Sequence, residues 1–265
     1  MNSMLLGRYI PGNSPVHQLD PRTKLLGCFY YIGIVFLANN WITYALLFVL
    51  TLGLLPLARV RLGFFLRGLR AIMFLILFTV LLQLFFTTGG HVWWQWGWLT
   101  VTSKGVLNAV YILCRLVLII FASTLLTLTT QPLGLADAVE SILKPLKKIH
   151  VPVTELALML SIALRFVPTL MDQTTKTMNA QRARGVDFGS GGPIKQLKSI
   201  VPLFIPLFVS AFSMADDLAT AMEARGFRGG DGRTRYRALA YHRGDVVAAI
   251  LLVAVTVVLI VLRTH

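Results

Sequence analysis

Five apolar runs partition the chain: "LLGCFYYIGIVFLA" (25–38), "WITYALLFVLTLGLLPL" (41–57), "AIMFLILFTVLLQLFF" (71–86), "GVLNAVYILCRLVLIIFASTLLTLT" (105–129) and "VVAAILLVAVTVVLIVL" (246–262). A membrane span needs ~20 apolar residues, with roughly 17 at the short end. The first and third runs fall below that alone and reach it with their flanks. Hydrocarbon offers no partner for a free N–H or C=O, so such segments satisfy their backbone internally as helices. The pattern predicts an all-α integral membrane protein of about five spans. Composition agrees. Hydrophobic residues make up 56% of the chain and charged ones 14%, whereas soluble domains carry about 25% charged residues. The run 25–57 turns at Asn39-Asn40 and reads as a spanning hairpin or a re-entrant loop. The N-terminus lacks an apolar core with a small-residue cleavage site, so no removable signal is expected.

The charge distribution sets an orientation. A net charge of +14 could suggest nucleic acid, but the basic residues sit between apolar blocks and not along one polar face. Arg8, Arg22 and Lys24 precede the first run, and Arg59, Arg61, Arg67 and Arg70 lie between the second and third. Residues 131–244 hold fifteen Lys and Arg, so one side of the membrane would carry 22 of the chain's 25. The 87–104 connection has one lysine and four tryptophans, as an outer interfacial belt would. Positive loops face the cytoplasm. The expected organisation is a cytoplasmic segment 1–24, spans within 25–130, a cytoplasmic region 131–244 and a last span within 245–265 ending outside.

Region 131–244 is neither loop nor simple span. "GLADAVESILKPLKKI" (134–149) reads as a short amphipathic helix. Residues 153–185 then form a periodic run, apolar first and polar from Asp172, interrupted only by Pro168. Residues 194–226 repeat that order. Each would reach about 50 Å as a continuous helix. Their strongly apolar parts, such as "VPLFIPLFVSAF", are only about 12 residues, which suits a buried or interfacial helix better than a span. Two long helices near the inner membrane surface, packed as a pair, are expected.

Both runs end alike, in "AQRARGVDFG" and "MEARGFRGG", which place Arg184 and Arg225 41 positions apart. A helix ends with four unpaired carbonyls and a partial negative charge that favours a cation. Gly185 and Gly226 can take the left-handed position that stops the helix, with Val186 or Phe227 as the following apolar contact. Read singly, each is a good helix stop. Read as a pair at the ends of polar half-helices, two always-charged, five-donor side chains suit acidic grooves on a two-fold or pseudo-two-fold partner.

The paired Ala-Arg-Gly motifs, their spacing and "LDPRTKL" (19–25) resemble the transmembrane component of energy-coupling factor transporters, EcfT, over nearly the whole chain. The resemblance implies coupling helices whose Ala183-Arg184-Gly185 and Ala224-Arg225-Gly226 each dock on one of two ABC-type ATPase subunits, identical or not. It also implies a membrane-embedded substrate-binding partner, the S component, held by the spans and the apolar side of those helices. ATP-driven movement would reorient that partner to deliver a vitamin or metal ion. Asp20, Pro21 and Arg22 belong to the family's N-terminal motif. By residue type, Asp20 suits a helix N-cap and Pro21 a first turn, while Arg22 and Lys24 anchor the inner boundary.

The chain's own chemistry fits a passive subunit. It has no G-x-x-x-x-G-K-[ST] loop, so ATP and magnesium would belong to the ATPases and this chain would hold no cofactor. No H-E-x-x-H or Cys-His spacing appears, and Cys28 and Cys114 lie inside apolar runs. No carboxylate falls between Asp20 and Asp137, which weakens an independent channel or carrier. The alternative is an integral membrane enzyme acting on a phosphorylated lipid at the cytoplasmic face. Arg165, Arg184 and Arg225 would bind the phosphate, and Asp216-Asp217 would hold magnesium. Adjacent carboxylates on a helix diverge by about 100°, however, and no Asp-x-x-Asp spacing supports them. Arg115, a charge within the fourth run, is expected to face protein and bond to carbonyls or hydroxyls such as Ser123 and Thr124.

Overall fold

In the computed structural model, residues 9–60, 62–87, 89, 91–96, 99–188, 192–227, 229 and 239–263 are described. Arg8, Arg61, Trp98, Arg233, Arg235, Arg237 and most of the glycine-rich stretches after the two Ala-Arg-Gly motifs lie outside them. The elements run α1 Pro21–Leu37, α2 Trp41–Ala58, α3 Leu62–Phe86, β1 Val92–Trp96, β2 Leu99–Thr102, α4 Ser103–Thr129 and α5 Pro132–Leu143. A 3₁₀ helix (Lys144–Ile149), α6 Val153–Ala183, α7 Pro193–Ala224 and α8 Arg243–Arg263 follow. Among the described residues the architecture is helical apart from one antiparallel hairpin, β1–β2, where the tryptophan-rich connection was expected. Two units divide it: residues 1–138 with 239–265, and residues 139–238.

The first unit is built around α4. This helix packs against α1, α2 and α3, and α1 and α2 also meet α8. Tyr31, Ile34 and Val35 of α1, Tyr44 and Leu47 of α2, Leu118 of α4 and Leu259 of α8 form one buried cluster. Leu55, Phe65, Phe121 and Leu128 anchor a second, where α2, α3 and α4 meet. The Tyr31 and Thr51 hydroxyls bond to each other inside the first cluster. They satisfy two polar groups that hydrocarbon would leave unpaired. Outward positions such as Phe74, Phe29 and Val49 are apolar and exposed, the inverse of a soluble surface and the signature of a lipid-facing one.

Among the described residues five helices are long and apolar enough to cross a membrane, six if the bent α3 counts as one broken span, and they are not the same set as the five runs picked out by hydropathy alone. α2, α4 and α8 agree. α1 has 17 residues, the short limit, and α3 bends by 63° between its arginine-bearing half Leu62–Arg70 and its apolar half Ile72–Phe86. α6 and α7 qualify as well. Both run unbroken through their prolines, Pro168 in α6 and Pro202 and Pro206 in α7, so the apolar halves join the polar halves in helices about 46 and 48 Å long. Length and composition alone therefore do not separate these two from spans.

The second unit holds α6 and α7, packed against each other. Their apolar faces stay open. Val201, Ile205, Phe208 and Phe212 recur at the 4-3-4 spacing of one α-helical stripe along α7, flanked by Phe204 and Val209, and all are exposed. Leu156, Met159 and Leu160 are exposed on α6.

Candidate functional site

Both Ala-Arg-Gly motifs close their helices by one hydrogen-bond scheme. On α6, the Gly185 N–H donates to the Arg182 carbonyl at 3.0 Å and the Val186 N–H to the Gln181 carbonyl at 3.0 Å. On α7, the Gly226 N–H donates to the Glu223 carbonyl at 2.8 Å and the Phe227 N–H to the Met222 carbonyl at 3.0 Å. Each is a Schellman stop. Arg184 and Arg225 are the C-caps, with φ of −83° and −90°. Gly185 and Gly226 take φ of +86° and +70° with nothing within 4 Å of a Cβ. Glycine is needed there for backbone conformation and not for space.

The scheme consumes the helix-end carbonyls with backbone donors, so neither guanidinium is needed to cap its own helix. Ala183, Arg184 and Gly185 are all exposed, as are Ala224, Arg225 and Gly226. Among the described residues, no hydrogen bond, ion pair or ring contact engages either guanidinium. Beside the first tip Arg182, Gly185, Val186, Asp187 and Phe188 line an open concavity, and the Arg182 guanidinium lies 6.0 Å from the centre of the Phe188 ring. What the geometry offers is two cations presented to the outside by rigid, backbone-closed helix ends.

The N-terminal motif folds differently, as a buried polar buckle in the first unit. Asp20 caps α1 by accepting from the Arg22 N–H at 2.8 Å, and Pro21 takes the first turn. The Asp20 N–H donates to Asp245 Oδ1 at 2.9 Å, while the His242 N–H donates to Asp245 Oδ2 at 2.7 Å. Asp245 is only 3% exposed and Asp20 4%. The Arg22 guanidinium lies 3.9 Å from Asp20, reaches the Leu239 carbonyl and stacks over Tyr241. Lys24 Nζ donates to the carbonyls of His17 at 2.9 Å and Thr129 at 3.0 Å, the latter at the end of α4. Burial pushes the Lys24 ammonium down to about 8 against the opposing pull of Asp245 and Asp20. Four charges thus tie the entries of α1 and α8 to the exit of α4. Sequence reading found Asp20 to Lys24 but missed Asp245, whose one signal was a carboxylate in the first turn before an apolar run.

Arg115 faces protein and bonds to a hydroxyl, as expected, but not to one of the two hydroxyls named from the sequence. It donates to the Tyr44 hydroxyl at 3.2 Å and lies 5.0 Å from the centre of the Phe36 ring, so α2 and α1, and not Ser123 or Thr124 of its own helix, receive it. The residues proposed for an enzyme lie on α6 and α7 or at their ends. Arg165, Asp216 and Asp217 are exposed, and no cluster of three His, Cys, Asp or Glu that could hold a metal exists among the described residues.

Comparison with known proteins agrees with this helical membrane architecture. Residues 12–236 match the cobalt transport protein family, CbiQ. The chain is 66% identical over 263 residues to the energy-coupling factor transporter transmembrane protein EcfT of Lacticaseibacillus paracasei, covering 99% of this chain and 100% of that one. It is 54% identical over 260 residues to EcfT of Lactococcus lactis, 98% of each chain. With EcfT of Bacillus subtilis it shares 50% over 263 residues, 99% of each. Full-length similarity at this level leaves one assignment: the chain belongs to the EcfT family, the transmembrane components of energy-coupling factor transporters.

Proposed function

We propose that this chain is the non-catalytic scaffold of an energy-coupling factor importer. In this reading it couples ATP hydrolysis by two ABC-type ATPase subunits to reorientation of a membrane-embedded S component that carries a vitamin or other micronutrient. The observation that carries the proposal is the pair of hydrogen-bond-matched Schellman tips with unengaged, exposed guanidinium groups. A planar five-donor cation on a rigid helix end can grip a carboxylate-lined groove bidentately. Two such ends give a paired motor one handle per subunit. The open apolar stripe on α7 and the exposed Leu156, Met159 and Leu160 of α6 suit the S component. ATP and magnesium stay with the ATPases, and the solute with the S component. The tips and the N-terminus face the cytoplasm, and the C-terminus faces outside.

Charge reversal tests the docking. Changing Arg184→Glu and Arg225→Glu together sets a carboxylate against each acidic groove. Losing a buried interfacial charge pair costs about 2–5 kcal/mol per tip, roughly 30-fold to several-thousand-fold in affinity. Affinity-tagged double variant should lose both ATPases on purification while keeping its own fold. Retention of the ATPases with normal uptake overturns the docking role. Turnover of a phosphorylated lipid by the isolated chain would favour the enzyme instead.

A further inference from the structure

The stretch between α5 and α6 combines charge and exposed apolar surface in an unusual register. All eight residues from Leu143 to His150 are exposed. The segment "LKPLKKIH" carries Lys144, Lys147 and Lys148, and no carboxylate lies anywhere from 141 to 154. Its large aliphatics are Leu143, Leu146 and Ile149, the last 74% exposed. On a continuous α-helix residues three apart step by about 60°, so these three would fan out over an arc of about 120°. The chain is instead a 3₁₀ helix over Lys144–Ile149, in which positions three apart eclipse one another. Leu143, Leu146 and Ile149 therefore fall on one straight ridge. Lys144 and Lys147 share a second edge, and Lys148 stands on the third. The left-handed His150, at φ +61°, ends the ridge after about 12 Å.

We infer that residues 143–150 form an interfacial anchor for anionic phospholipid, with the aliphatic ridge seated at the acyl boundary and the three lysines on lipid phosphates. An apolar edge flanked by ammonium groups matches a negatively charged headgroup layer on both counts. The chain also keeps the segment within reach of a bilayer. α4, which is long and apolar enough to span, ends at Thr129, and only fourteen residues separate it from Lys144. At helical rise these extend no further than about 25 Å. Water would leave the ridge exposed at a cost of about 25 cal/mol per Å², and an acidic protein groove would use the lysines but leave that edge unexplained. The anchor rests on membership of a membrane protein family and on local geometry, independently of how the ATPases dock.

Fluorescence quenching in nanodiscs tests it on the full chain. A bimane label on Ile149→Cys, in a Cys28→Ala/Cys114→Ala background that unfolds at the wild-type temperature, is paired with lipid spin-labelled at the headgroup–acyl boundary. Phosphatidylglycerol-containing discs should quench the label strongly and phosphatidylcholine discs weakly. Lys144→Gln, Lys147→Gln and Lys148→Gln should each lower the phosphatidylglycerol-dependent binding by about fivefold, and high salt should mimic them. An unquenched label in both discs would place the ridge in water or against protein and overturn the inference. So would quenching that is equal in both discs and indifferent to the glutamines.

Discussion

Asp245 is the keystone of the buckle, and its removal has a calculable cost. The carboxylate accepts two backbone N–H groups, from Asp20 and His242, in a site where it is 3% exposed. Hydrogen bonds to a charged group contribute about 1.5–3 kcal/mol each. Asp245→Ala removes both acceptors and leaves two N–H groups facing a void, so a loss of about 3–6 kcal/mol is expected. Asp245→Asn keeps one carbonyl oxygen but aims an NH₂ at the other donor, and roughly half the loss should remain. At about 2–4 °C per kcal/mol for a chain of this size, the alanine variant should unfold on the order of 10 °C below wild type, with asparagine between. Thermal unfolding of purified protein in one detergent reads this out. Asp172→Asn, an exposed carboxylate, should move the midpoint hardly at all. An alanine variant as stable as wild type, or an asparagine variant worse than alanine, would refute the idea that these two bonds hold α1 and α8 together.

Three further outcomes follow from the geometry. Lys24 has a folded pKa lowered to about 8 from 10.5. Between those values the unfolded chain binds more protons, and stability relative to Lys24→Met should rise as pH climbs from 8 to 10.5; a flat or falling difference contradicts the burial of this cation. Gly226→Ala places a side chain at φ +70° for about 1–2 kcal/mol, which should speed exchange of the Phe227 amide by roughly 5- to 30-fold, with asparagine milder than alanine. Equal exchange in both would mean the turn does not need glycine. Tyr44→Phe removes the hydroxyl that receives Arg115 and should cost about 1.5–3 kcal/mol in wild type but little in Arg115→Leu. The same cost in both backgrounds would show the contact to be incidental.

How far each feature could be read from sequence follows from the range of the interactions that make it. The helix stops are local: six residues contain the Schellman ring, its glycine and its cap, so Arg184-Gly185 and Arg225-Gly226 announce themselves. That several helices reach spanning length is also legible, because apolar length is a property of each run. Which helices meet that length is less so. Pro168, Pro202 and Pro206 looked like interruptions, yet α6 and α7 continue through them, as helices do where neighbouring groups absorb the freed carbonyl. The aromatic connection was legible as a break between apolar runs and not as a hairpin. The buckle was half hidden, because Asp20 meets Asp245 across 225 positions and a lone carboxylate carries no periodicity. Arg115 finds Tyr44 71 positions away, where only packing, not spacing, decides the partner.

The proposal that two helix ends grip a nucleotide-driven motor can be tested in living membranes by photocrosslinking from Ala183 and Ala224, the exposed neighbours of Arg184 and Arg225. A photoreactive side chain at either position should give an adduct with an ATPase subunit. The same group at Val257 of α8, exposed on the apolar side, should give lipid adducts and none with an ATPase. ATPase adducts absent from both 183 and 224 in an actively transporting complex would contradict docking through these tips.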